Sequence, residues 1–382
     1  MKEGKDKKKP LTKATNSPAQ KKRMLMNRIG TFFANNPLSI LLLALPFTLA
    51  AQLLGWTPVA IFILAAVGII PLASTIGDAT EDLAAHTDPR VGALLNASLG
   101  NAAELIITIT AVRAGLLELV KASITGSIIG NLLLVLGFAM AAGGIRHGKQ
   151  TFNKTNASRN AILLVLAVTA LIIPSIFSQS ISANGSTSVE ALSIGVAIVM
   201  IVLYGLGLFD ASRTPDSPLS YKVSEADLPT RSLRQSILLL VLATLGVVWL
   251  SEALVQAAEG VISSLGVSEF FLGIILVPLI GNVAEHLVSV QMALKNKMDL
   301  STEIAISSSL QIALFVAPLL VFVSLLLGHP LQLILNRFEL LALLASVAIS
   351  VLVSSDGEST WLEGAGLLAI YLILGLAFFL LP

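Results

Sequence analysis

The chain has 382 residues, 55% of them hydrophobic and only 12% charged, about half the charge of an ordinary soluble domain. With a mean hydropathy of +0.87 and a formal net charge of +1, this excludes a soluble globular domain. There is no cysteine, which excludes disulfides, thiolate metal sites and a cysteine nucleophile.

From the N-terminus, residues 1–37 read as a polybasic cytosolic tail, since ten of the 24 Lys/Arg lie within Met1–Arg28. Its basic region is long and further spans follow, so it does not fit a cleavable signal. A solvated arm is expected, with Met24 to Phe33 lying on an anionic membrane surface as the second reading. Eleven apolar segments come next: 38–54, 57–83, 91–112, 118–143, 160–177, 187–209, 235–258, 267–294, 301–327, 334–353 and 361–381. Such runs are suited to crossing about 30 Å of hydrocarbon. They read as helices, because an open sheet leaves its edges unsatisfied in lipid. The polar stretch 210–234, with Pro215, Pro218 and Pro229, reads as a cytosolic linker. The expected fold is therefore an all-α polytopic membrane protein of about eleven transmembrane helices. A leading helix (38–56) precedes two repeats, 57–209 and 235–382.

With the tail in the cytosol, the connections on that side hold Arg90, Arg146, Lys149, Lys154, Arg159, Arg213, Lys222, Arg231, Arg234, Lys295 and Lys297. The opposite side holds only Arg113, Lys121 and Arg337, a positive-inside bias that puts the C-terminus opposite the cytosol. The repeat shows in the residues themselves. Gly100-Asn101-Ala102-Ala103-Glu104 recurs 181 residues later as Gly281-Asn282-Val283-Ala284-Glu285. Thr80-Glu81 matches Ser251-Glu252, and Asn131 matches Gln311. Five spans per repeat is an odd number, so the halves are expected to insert in opposite directions, an architecture of transporters with a midplane site.

Glu104 and Glu285 each lie deep in an apolar run, where a carboxylate costs roughly 2.5–3.5 kcal/mol on insertion scales. Inverted symmetry brings both to one centre, where they form an oxygen-rich site suited to calcium. Asn101 and Asn282 either ligate the ion, orient the carboxylates, or hold helices together. Ser127, Asn131, Ser308 and Gln311 either line the site or bond across helices. Glu81 and Glu252 either relay protons and guard the entrances, or are interfacial acids reaching water. Asp299 reads as a helix N-cap, and His286 as structural.

The stretches Thr80–Ile106 and Ser268–Pro318 resemble the Ca2+/cation–proton exchanger (CAX) family of the cation/calcium exchanger superfamily. The likeness is carried by Leu94 to Ile106, Val277 to His286, Lys295 to Leu300, and Gln311 to Val316. It implies Glu104 and Glu285 as the central cation and proton sites, with ten core helices behind a leading one. Sodium/calcium exchangers of the superfamily tend to show Gly-Thr-Ser-x-Pro-Glu here, and this chain has neither the Thr-Ser pair nor the Pro. One departure is the linker, whose acids Asp210, Asp216, Glu225 and Asp227 make a sparse version of an acidic helix in some relatives.

The expected function is a calcium/proton antiporter, not an enzyme and without a cofactor, transporting Ca2+ (manganese being the other candidate) and H+. Its expected partners are membrane lipid and metal ions, with no nucleic acid and oligomeric state open. Its expected place is the cell membrane of a prokaryote or an acidic-organelle membrane of a eukaryote. A Na+/Ca2+ or Mn2+-preferring exchanger and a cation channel are the alternatives. Energetics point to a third proton. Expelling Ca2+ up a ~10⁴-fold gradient against ~100 mV takes about 10 kcal/mol, and one proton returning down a similar potential and one pH unit yields about 3.7 kcal/mol. Glu81 and Glu252 are the candidates for it.

Overall fold

The computed structural model describes residues 37–87, 89–181, 186–211 and 230–381. The polybasic tail up to residue 36 and most of the linker, with Asp216, Glu225 and Asp227, lie outside the described residues. In chain order the helices are α1 (Leu38–Leu53), α2 (Pro58–Ala85), α3 (Pro89–Leu99), α4 (Ala102–Arg113) and α5 (Leu117–His147). Then come α6 (Lys154–Ile181), α7 (Ser186–Ala211), α8 (Leu233–Leu265), α9 (Glu269–Gly281) and α10 (Val283–Leu294). Last are α11 (Met298–Leu326), α12 (Arg337–Val353) and α13 (Trp361–Phe379).

Among the described residues, seven helices (α2, α5, α6, α7, α8, α11 and α13) are each long and apolar enough to cross a membrane. The pair α9–α10, bent by 61° at its break, is long and apolar enough only when taken together, and counts as an eighth if the two halves form one span. The other three expected segments are shorter. The first is only partly α-helical, because Pro37–Leu43 winds as a 3-10 helix before Ala44–Leu53. The third, expected as one helix over 91–112, is two helices, α3 and α4, separated at Gly100 and Asn101. The tenth is α12, of 17 residues.

Local chemistry sets the ends. The Thr57 hydroxyl caps α2, with Pro58 in the first turn where its missing N–H is harmless. Ser232 and Gln235 close a capping box on α8, and Gly266, at φ +66°, takes the left-handed position that ends it. The linker is thus shorter than its expected 210–234: α7 continues through Asp210 to Ala211, and α8 has begun by Leu233. Asp299 is not the cap of α11. Lys297 holds that position, and the Asp299 carboxylate accepts the Asn153 N–H from a neighbouring loop.

Within the bundle, α2 and α8, the helices that open the two expected repeats, pack together more extensively than any other pair. The most buried spans are α5 and α11, also equivalent under the expected repeat. Both lose regular α-helical winding at matching places, in π-helical turns over Gly130–Val135 and Ile312–Val316. A third π-turn, Leu272–Leu276, lies in α9. A small antiparallel ladder, β1 (Gln150–Thr151) with β2 (Glu358–Ser359), joins two loops at one end of the bundle.

Candidate ion-binding site

The two glycine–asparagine pairs create helix N-termini in the middle of the bundle. Asn101 (φ −95°, ψ 23°) and Asn282 (φ −109°, ψ 9°) leave helical geometry, and α4 and α10 begin at the next residue. Glu104 and Glu285 therefore each occupy the third position of a helix that starts inside the protein. There the unsatisfied N–H groups and the positive end of the helix dipole favour an anion, as in broken transporter helices.

Glycine lets the two halves meet. A Cβ on Gly281 would stand 3.3 Å from Glu104 Cβ, and one on Gly100 would stand 3.7 Å from Glu285 Oε1. Each break thus lies against the other half's carboxylate. Neither asparagine caps its own helix; both reach across. Asn282 Nδ2 donates to Glu104 Oε2 at 3.3 Å and to Ser127 Oγ at 3.2 Å. Asn101 Nδ2 donates to Gln311 Oε1 at 2.8 Å, while its Oδ1 accepts from Ser308 Oγ at 3.3 Å. Ser127 Oγ donates to Glu104 Oε1, and Asn131 Nδ2 donates to Ser308 Oγ at 3.0 Å. Ser308 also stands beside Glu285 as Ser127 stands beside Glu104.

The carboxylates are not equivalent. Glu104 is inaccessible to solvent, with a donor on each oxygen. Glu285 is half-buried, and its Oε2 is sealed from water without a hydrogen-bond partner. A buried acceptor without a donor calls for a cation or a proton. Among the described residues no group of three or more His, Asp or Glu gathers anywhere. The central charge is therefore two carboxylates surrounded by neutral amides and hydroxyls. That set matches the oxygen chemistry of a hard divalent ion.

The eight inner residues named from the sequence, Glu104, Glu285, Asn101, Asn282, Ser127, Asn131, Ser308 and Gln311, are brought to this one place. The outer pair is not. Glu81 is exposed near the end of α2. Glu252 on α8 forms an ion pair with Arg113, more than a third exposed on both sides. Sequence reasoning missed an anchor at the start of α8. Asp82 accepts from the Thr230 N–H at 2.8 Å, the Thr230 hydroxyl and Arg231 Nη1 at 2.9 Å, with Asp78 one turn away. The i, i+4 spacing of Asp78 and Asp82 was its one visible signal.

The profile of the sodium/calcium exchanger protein family matches residues 57–210 and 235–380. A Ca(2+)/H(+) antiporter of Aphanothece halophytica is 44% identical over 377 residues, covering 94% of this chain and 98% of the relative. A vacuolar calcium ion transporter of Schizosaccharomyces pombe is 36% identical, over 94% of this chain and 89% of the relative. The solved structure of native YfkE superposes with a TM-score of 0.79 at 40% identity, covering 90% of this chain and all of that one.

Proposed function

Since this chain belongs to the sodium/calcium exchanger protein family, we propose that it is a calcium/proton antiporter, moving Ca2+ out of the cytosol in exchange for protons by alternating access. The observation that carries this reading is the central pair of carboxylates, one from each half, with one oxygen left unbonded. Relatives named as Ca2+/H+ antiporters support the choice of ions.

Charge supplies the coupling. Two neighbouring carboxylates titrate as one coupled pair. The centre is neutral with one Ca2+ or with two protons, whereas the empty dianion carries a large desolvation penalty into any closed intermediate. Only the two neutral forms cross between inward-open and outward-open states, so one ion must replace the other. Glu104 and Glu285 hold the ion or the protons. Asn101 and Asn282 orient or ligate, and Ser127, Asn131, Ser308 and Gln311 line the centre. The half-helix N-termini lower the cost of holding the charges. The proposed frame is eleven spans in two inverted repeats, with the N-terminus in the cytosol.

The test is radiocalcium uptake into proteoliposomes under a pH gradient or a sodium gradient. Uptake driven by the pH gradient alone is expected. Uptake driven only by sodium would make the protein a Na+/Ca2+ exchanger, uptake with neither gradient a channel, and a preference for manganese a Mn2+ exchanger.

A further inference from the structure

A second carboxylate is buried away from the central pair. Glu339, in the first turn of α12, is 1% exposed. Its Oε2 accepts the Asn336 N–H at 2.6 Å, while Asn336 Oδ1 accepts the N–H groups of Phe338 and Glu339 at 2.9 Å. This capping box uses one carboxylate oxygen. The other, Oε1, is sealed from solvent and unbonded. The hydroxyl of Thr125 on α5 faces it, likewise sealed and without another partner. The charged groups acting on Glu339 are Lys121 and Glu118, both on α5 and paired with each other.

A capping glutamate needs no burial and no empty oxygen. The Thr125 hydroxyl can donate to an ionised Oε1 or accept from a protonated one, so charge distinguishes the two forms. A sealed anion is costly where the facing cation, Lys121, is already paired with Glu118, and a proton on Oε1 removes that cost while keeping the bond to Thr125. We propose that Glu339 is a further proton-binding residue of the exchange, taking its proton between α12 and α5. Thr125 and Ser127 are two residues apart on α5, about 200° around the helix. Glu339 therefore touches neither the calcium nor the central carboxylates. It is a positioning residue: its proton ties α12 to the helix whose opposite side holds Glu104 through Ser127. The third proton that the energetics ask for then has a buried place, whereas Glu252 is engaged by Arg113.

The proposal rests on the antiport reading, and the experiment separates the two. Glu339→Gln retains the cap, because glutamine serves at this position of a capping box. A merely structural role therefore leaves the variant like the parent. The pH dependence of radiocalcium uptake is compared between the two, with infrared pH-difference spectra of the purified proteins. The expected result is a profile that loses one protonation step, with one carboxylic-acid band missing from the variant's spectrum. Superimposable profiles and unchanged bands would overturn it. Should the variant not transport, the infrared spectrum alone decides: a missing titrating band upholds the proposal and an unchanged set refutes it. Failure of the parent to respond to a pH gradient strikes at antiport, not at the titration of Glu339.

Discussion

Replacing Glu104 by glutamine separates charge from shape. The amide fits: with its carbonyl toward Asn282 Nδ2 and its NH2 toward Ser127 Oγ, both present partners stay bonded. The fold should survive, as the side chain keeps its volume. Calcium should not be held. A divalent ion with its charge ~3 Å from the carboxylate centre gains about 2.8 kcal/mol even at the dielectric of water, which is a lower bound in a site closed to solvent. That is about a hundredfold in affinity. The calcium-bound centre of the variant would also carry a net positive charge into the closed state, so turnover should fall further than binding. The assay is calcium binding by titration calorimetry on protein verified as monodisperse, beside uptake driven by a pH gradient. An affinity within about threefold of the parent, or uptake at more than a tenth of its rate, would refute the assignment of Glu104 to the ion. Glu285→Gln is expected to behave alike in transport.

Protons and calcium compete for the same oxygens, so apparent calcium affinity should fall as pH drops on the binding side, by at most about a hundredfold per pH unit for two displaced protons. A flat profile on sealed vesicles of known orientation would contradict a shared site. For topology, Ser264→Cys should react with an impermeant thiol reagent only from outside and Lys295→Cys only from the cytosol, both positions being exposed and the chain free of cysteine. Labelling of both from one side would remove the inversion. For packing, a Cβ at Gly126 would fall 2.1 Å from the Ile274 carbonyl oxygen, whereas one at Gly130 meets nothing within 4 Å. Gly126→Ala should lower stability by about 3 kcal/mol or more and Gly130→Ala should change it little, read by thermal unfolding in detergent. Equal melting temperatures would contradict the close contact of α5 with α9.

The sequence by itself determined the class and showed the recurring motif from which the site chemistry is proposed. Few charges in recurring apolar runs leave only membrane helices, since backbone groups in lipid must bond within their own segment. The repeated Gly-Asn-x-x-Glu named both carboxylates, because a buried acid at equivalent places in two repeats persists only for something it holds. Asn131 and Gln311 followed from the same register, and Ser127 and Ser308 were named beside them as polar residues of the same segments. What the tertiary structure decided is which half each side chain serves. A register says that Asn101 and Asn282 are equivalent; it does not say that Asn282 bonds Glu104, 178 residues away, while Asn101 bonds Gln311, 210 away. Such pairings depend on how the helices pack, and no local pattern encodes them. Gly100 marked a weak point in the backbone before Glu104, but hydropathy averages over a bend, so 91–112 still read as one helix where the structure has two. Glu252 looked as poised as Glu81 until α8, lying beside α4, gave it Arg113. The capping box at Asn336 and Glu339 and the sealed oxygen facing Thr125 emerge only in the folded chain. Burial belongs to the packed bundle, where neighbours from distant parts of the chain shut out water that every residue meets in the unfolded chain.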